Sequence, residues 1–98
     1  MTLKWEIEET MTLKSISKSF TAVGTSDSLM FAGSFNISVE IGTGTISLER
    51  SFDGGQKWYT VETFTSSYED MLTDPEGAVY RWRCSAFTAG PVSGRLGQ

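Results

Sequence analysis

The stretch Ser51-Phe52-Asp53-Gly54-Gly55-Gln56-Lys57-Trp58 constrains this chain more than any other. An aspartate can accept hydrogen bonds from backbone N–H groups just ahead of it. The two glycines that follow reach positive φ without a Cβ clash. Apolar residues alternate on both sides of this corner. Ile46, Leu48 and Phe52 are interleaved with Ser47, Glu49 and Ser51; Tyr59 and Val61 are interleaved with Trp58, Thr60 and Glu62. Pairing Phe52 with Lys57 sets Leu48 opposite Val61 on one face. It sets Ser51 and Glu49 opposite Trp58 and Thr60 on the other, as a fixed register requires. The expectation is a hairpin, and with it an all-β protein.

Ser51, Asp53, Gly55 and Trp58 also match the spacing of an Asp-box, S-x-D-x-G-x-x-W. That motif occurs in sialidase-type propeller blades and in many unrelated β proteins. Its physical content is a self-supporting turn, in which the carboxylate ties the loop backbone and the indole covers it. Propellers repeat the motif once per blade, and here it occurs once. The four residues therefore read as a structural turn and not as a sugar site.

The chain has 98 residues, the size of one domain. A domain of this size buries roughly 60–65% of its unfolded surface, enough for one core. Three Trp, six Phe and three Tyr supply the volume. Net charge is −4, and the eight lysines and arginines are scattered. Neither a nucleic-acid footprint nor a polybasic membrane patch is expected from that distribution. Cys84 is the single cysteine, so no intrachain disulfide can form. This favours folding in a reducing cytoplasm or stabilisation by an assembly. Histidine is absent, which removes the commonest general base and the commonest metal ligand. Ser-His-Asp and Cys-His arrangements and His-containing zinc sites are excluded with it. Neither a signal peptide nor a membrane-spanning stretch is expected from the apolar pattern.

Along the chain, residues 2–8 alternate Leu3, Trp5 and Ile7 against Lys4, Glu6 and Glu8, a strand or terminal arm. Glu6, Glu8 and Glu9 read as a solvated acidic face. Residues 11–16 are a weaker β candidate, residues 19–23 a strand and residues 24–28 a polar turn. Residues 29–32 form a short apolar run reaching a bend or bulge at Gly33. Residues 35–41 are the cleanest strand, with Phe35, Ile37, Val39 and Ile41 on one face. Gly42-Thr43-Gly44-Thr45 closes a hairpin that pairs Ile41 with Ile46, Val39 with Leu48, Ile37 with Arg50 and Phe35 with Phe52. The result is a three-strand meander with one buried face. Arg50 is its odd member, either snorkelling at the sheet edge or pairing with an acid. The sequon at Asn36-Ile37-Ser38 reads as coincidence.

Residues 64–73 read as a connector and Asp74-Pro75-Glu76-Gly77 as a turn. Asp70, Asp74 and Glu76 lack the alternation of a calcium loop. Residues 78–87 are the last long strand, with Tyr80, Trp82, Cys84 and Ala86 on one face and Arg81, Arg83 and Ser85 on the other. Gly77-Ala78-Val79-Tyr80-Arg81-Trp82 looks like the tyrosine corner of immunoglobulin-like sandwiches, with Trp82 where antibody domains place a cysteine. Ala89-Gly90-Pro91 is a turn, and residues 92–96 a short edge strand. The fold expected is an Ig- or fibronectin-like antiparallel β-sandwich of seven to nine short strands. Residues 1–17 form an arm or edge strands, and residues 18–98 the domain.

Few residues stand out as sites. Arg81 and Arg83 share a face, either as a contact for an anion or carbohydrate or as plain solvated arginines. Trp58 and Tyr59 fall on opposite faces and make no stacking platform. Trp5, with Ile7 beside it, lies in the terminal segment, where an exposed indole marks an interface and a buried one ordinary packing. Cys84 reads as an inert core thiol. No nucleophile with a base, no paired carboxylates and no phosphate loop are found. Neither enzymatic activity nor any cofactor or metal is expected.

From about residue 20 to the end, the sequence resembles small phage structural proteins. The resemblance is carried by Ser19-Phe20-Thr21-Ala22, Phe35-Asn36-Ile37-Ser38-Val39, Leu48-Glu49-Arg50-Ser51-Phe52-Asp53-Gly54-Gly55 with Trp58, Tyr80-Arg81-Trp82-Arg83-Cys84 and Ser93-Gly94-Arg95-Leu96. It implies a short β-sandwich virion or tail-associated protein and brings no catalytic residues. The expectation is a capsid decoration, head–tail or tail-surface component, made in the host bacterial cytoplasm. Its partners would be other virion proteins and its own copies in an oligomer or symmetric assembly. The alternative is a module that binds host-surface carbohydrate or protein.

Overall fold

The computed structural model describes residues 14–98. Trp5 and Ile7 lie outside the described residues. The chain is all-β: β1 (Ser15–Ser19), β2 (Gly24–Ser51), β3 (Tyr59–Phe64) and β4 (Tyr68–Gly97) form one antiparallel sheet in the order β1-β4-β2-β3. Ile16 is buried and pairs with Leu96, so the sheet takes in the last residues of the segment assigned to the arm.

β2 and β4 run 28 and 30 residues, far beyond a typical strand, and each changes partner along its length. Residues 24–31 of β2 pair with 78–84 of β4, and residues 33–39 with 68–74. Residues 36–41 also pair with 92–97 on their other side, and residues 43–51 pair with 79–89. β1 adds outside residues 93–97, and β3 adds outside residues 46–50.

The expected meander is therefore corrected. Residues 35–41 and 46–52 do not pair with each other; residues 35–41 and 46–51 both pair with β4. The glycines between them do not make a hairpin. Neither Gly42 nor Gly44 has positive φ. They permit close approach instead: a Cβ on Gly42 would lie 2.6 Å from the Gly90 carbonyl oxygen, and one on Gly44 2.6 Å from that of Ala86. A glycine needed for contact and a glycine needed for a turn look alike in sequence.

Other boundaries shift for related reasons. Residues 21–23 are bends, and the expected turn at 24–28 is the start of β2. The expected connector holds the start of β4, because residues 68–74 find a partner in residues 33–39. Asp74-Pro75-Glu76-Gly77 is a bulge inside β4: Asp74 opposes Gly33 and Ala78 opposes Phe31, leaving three residues across from one. Residues 92–96 are not an edge, being flanked by β1 and β2. β3 starts at Tyr59, so Phe52 and Lys57 are not a ladder pair, and Leu48 pairs with Glu62 across a bulge at Val61. Phe52 and Val61 consequently lie exposed and not in the core.

The core gathers Phe31, Phe35, Tyr80, Trp82, Ile46, Leu48, Val92 and Leu96, all essentially without exposure. Phe31, Phe35 and Tyr80 meet as a ring cluster, with Phe35 4.9 Å from Tyr80 and 5.2 Å from Phe31 between centroids. Each such side chain contributes roughly 1.5–3 kcal/mol on burial. Ser47, Glu49 and Ser51, expected on a solvent face, are buried as well. β2 is thus covered on both faces over this stretch, and what covers the polar face is the Ser51–Trp58 corner and Arg81.

Candidate functional site

The corner is built from the backbone outward. Gly54 and Gly55 take φ of 78° and 101°, and these turn the chain between β2 and β3. Asp53 Oδ1 accepts from the Ser51 hydroxyl at 2.7 Å, from Lys57 N–H at 2.9 Å and from Gln56 N–H at 3.0 Å. Ser51 Oγ accepts in turn from Gly55 N–H at 2.8 Å. The indole Nε1–H of Trp58 donates to the Gly55 carbonyl at 3.0 Å. The Ser51 hydrogen bond, followed by that from Lys57 N–H, holds the Asp53 carboxyl below its ordinary value of 3.8. Asp53 is thus an ionised acceptor committed to its own loop.

The structure joins this corner to Arg81 and Arg83. The Arg81 guanidinium lies 4.0 Å from the centre of the Trp58 ring, a close cation–π contact. Its Nε donates to Glu49 Oε1 at 2.9 Å, and Arg83 Nη1 stands 3.9 Å from Glu49 Oε2. Ser47 Oγ and Thr63 Oγ1 share a hydrogen bond of 3.0 Å on the same face. Ser51, Asp53, Gly55, Trp58, Arg81 and the buried Glu49 thus form one connected polar layer over β2. Sequence reading missed Glu49 as a member, because its partners Arg81 and Arg83 come from 32 or more residues away on β4.

A second group lies on the opposite face of the same corner. Phe52 is 64% exposed and Tyr59 47% exposed, with ring centroids 6.2 Å apart. Arg50 sits 5.1 Å from the Phe52 ring and Lys57 Nζ 5.5 Å from the Tyr59 ring. The sequence signal was present in a weak form: Phe52 sits one residue past the last ladder position, where alternation no longer dictates burial.

The tyrosine of the expected corner motif behaves differently from its antibody counterpart. Tyr80 O–H donates to the Asp74 side chain at 2.7 Å, and Asp74 accepts Gly77 N–H at 3.0 Å. Elsewhere, an open polar groove of about 770 Å³ runs past Ser17, Ser38, Glu40, Glu69, Ser93 and Arg95. Among the described residues no group of three or more Cys, Asp or Glu side chains gathers as a metal site. Cys84 is buried and donates to the Ala86 carbonyl at 3.3 Å. No helix among the described residues is long and apolar enough to cross a membrane. Comparison with protein-family models, curated proteins and solved structures finds no match.

Proposed function

We propose that this chain is a non-enzymatic structural protein of a bacteriophage particle: a capsid decoration, head–tail or tail-surface component working through protein–protein contacts. The observation that carries the reading is the corner. Its one motif-borne carboxylate, Asp53, is spent on Ser51 and on the loop N–H groups, and its indole on Arg81 and the Gly55 carbonyl. A corner built this way stiffens a scaffold and offers no reactive group. The resemblance of the sequence to small phage structural proteins points the same way.

In this reading the fold is a two-layer sandwich made by bending the long strands. Segments 15–19, 93–97, 36–41 and 68–73 would make one layer. Segments 24–31, 78–84, 43–51 and 59–64 would make the other. The pairing registers support this division, and so do the positive φ values of Gly33 and Gly77 within the long strands. The relation to Ig-like domains rests on the tyrosine before Trp82 alone.

The test is to raise an antibody to the chain and probe gradient-purified particles from bacteria that carry its gene. Co-sedimentation at a fixed ratio to the major capsid or tail protein is expected. Absence from intact particles overturns the reading. The exposed Phe52–Tyr59 pair favours a second reading, a module for host-surface carbohydrate or protein. A glycan array that responds to the chain and falls silent on Phe52→Ser would establish it.

A further inference from the structure

The exposed side of the corner carries more information than its role as a scaffold requires. Phe52 and Tyr59 present two adjacent rings to solvent, and Arg50 and Lys57 place a cation against each. Exposed aromatics beside arginine are the composition of interface anchors. Arg50 and Lys57 are the cations of this patch, with Asp74 near Arg50 and Glu62 on the adjoining strand as the neighbouring acids. Beside it runs β3, which pairs only with β2 among the described residues. β3 contains no proline, and Glu62 is its one charged residue. The bulge at Val61 breaks this edge into residues 59–60 and 62–64, so the ladder alone is short and the rings must supply the anchoring.

A partner fitting this surface is extended, apolar on alternate positions and acidic between them. One stretch of this chain has that chemistry. Residues 1–13 alternate Leu3, Trp5 and Ile7 with Glu6 and Glu8, and contain three glutamates against one lysine. At ~3.3–3.6 Å per residue they reach about 43–47 Å, well beyond the ~20 Å of a six-residue strand. They lead into β1, and β1 and β3 stand at opposite ends of the sheet order.

From this we infer that the Phe52–Tyr59 patch and the adjoining edge of β3 receive the N-terminal stretch of a second copy of the chain. Trp5 and its apolar neighbours meet the rings, and Glu6 and Glu8 face Arg50 and Lys57. The donor and acceptor surfaces differ, so copies join either by reciprocal exchange into a closed dimer or head-to-tail into a ring or an open chain. The inference rests on the structural-protein reading and specifies the contact by which copies join.

The test is a complementation experiment on the full-length chain, read by light scattering coupled to size exclusion across a concentration series. One variant disables the donor (Trp5→Ala/Glu6→Lys/Glu8→Lys). The other disables the acceptor (Phe52→Asp/Tyr59→Asp), at exposed positions. Near-UV circular dichroism checks that both stay folded. The wild-type chain is expected to assemble and each variant to run as a single chain. An equimolar mixture is expected to double that mass and stop there, since it holds one intact donor and one intact acceptor. A peptide of residues 1–13 is expected to dissolve the wild-type assembly, a readout that needs no variant to fold.

A monomeric wild-type chain, self-assembly of either variant, or a mixture that stays monomeric overturns the inference. A monomer still found in purified particles overturns this contact and leaves the virion reading standing. Assembly through this donor and acceptor by a chain absent from particles sustains the contact and removes the virion reading.

Discussion

Tyr80 O–H reaches Asp74 Oδ2 at 2.7 Å, tying the buried centre of β4 to its own bulge six residues earlier. Asp74 Oδ1 takes the Gly77 N–H, so one carboxylate holds both ends of the bulge. The Tyr80 bond, aided by Gly77 N–H and the nearby Arg50 charge, holds the Asp74 carboxyl below its ordinary 3.8. Burial, then the Asp74 contact, pushes the Tyr80 phenol above 10.0. A lowered acid contributes stability that is full above 3.8 and lost as pH falls through the folded value. A raised phenol contributes stability that is full below 10.0 and lost as pH rises through its folded value. The contribution of this pair to stability is therefore expected to be flat between these limits and to fall outside both. Tyr80→Phe is expected to cost about 1.5–3 kcal/mol at neutral pH, the range for hydrogen bonds to charged groups. It should also flatten the alkaline limb. Urea unfolding at a series of pH values checks each part.

Glu49 is a second pivot. Its carboxylate is buried between Arg81 at 2.9 Å and Arg83 at 3.9 Å, but the two arginines are unequal, with side chains 23% and 55% exposed. A partner held in water contributes little, about 0–1 kcal/mol. Arg83→Ala is expected to fall in that range. Arg81→Ala leaves the Glu49 charge buried without its close partner and uncovers Trp58, and is expected to cost about 3–5 kcal/mol. The Arg81→Ala/Glu49→Gln pair should recover part of that loss, a coupling that a double-mutant cycle measures. Trp58 fluorescence should shift to the red in Arg81→Ala and not in Arg83→Ala.

How much of this was legible in the sequence depends on the range of each interaction. The corner is written locally: the bonds that hold it run between residues 51 and 58. The all-β class follows from the same local patterns. Partner choice does not. Residues 35–41 and 46–52 have the alternation of a hairpin pair, yet each finds better company on β4, 50 or more residues away for Ile41 and Val92. The burial of Ser47, Glu49 and Ser51 was hidden for the same reason. A polar stripe reads as a solvent face unless the reader knows that Arg81 and Trp58 lie across it. Asp74-Pro75-Glu76-Gly77 carries every turn residue and still sits inside a strand, because Phe31 and Gly33 pair on both sides of it.

Gly94 gives a sharper test of the packing between the final stretch of β4 and the core. A Cβ there would lie 2.6 Å from Cδ2 and 2.7 Å from Cε2 of Trp82, a ring with no exposure. Trp82 has nowhere to retreat, since Phe64 stands edge-on to it at 6.2 Å. Gly94→Ala is expected to destabilise by about 1–3 kcal/mol or more, as overpacking does. Gly24→Ala meets nothing within 4 Å and has no positive φ to lose. It is expected to be stabilising by about 0.4–1 kcal/mol through the unfolded chain. Thermal melts of the two variants should move in opposite directions.

Asp53 tests whether the corner stands on its own. Its carboxylate gathers three donors from residues 51, 56 and 57, and none from the core. Asp53→Ala removes the hub and leaves Ser51 Oγ and the Trp58 indole to hold the loop. The expected result is local loosening, with faster amide exchange at Gln56 and Lys57 and a red shift of Trp58 emission, while the amides of residues 80–84 keep their protection. Asp53 is held below 3.8 chiefly by Ser51. Its contribution is therefore present above that value and lost as pH falls through the folded one. Wild-type Trp58 emission should shift in acid along that limb, ahead of global unfolding, and Asp53→Asn should abolish the shift. If residues 80–84 lost protection together with the loop, the corner would be part of the global folding unit and not an independent clasp.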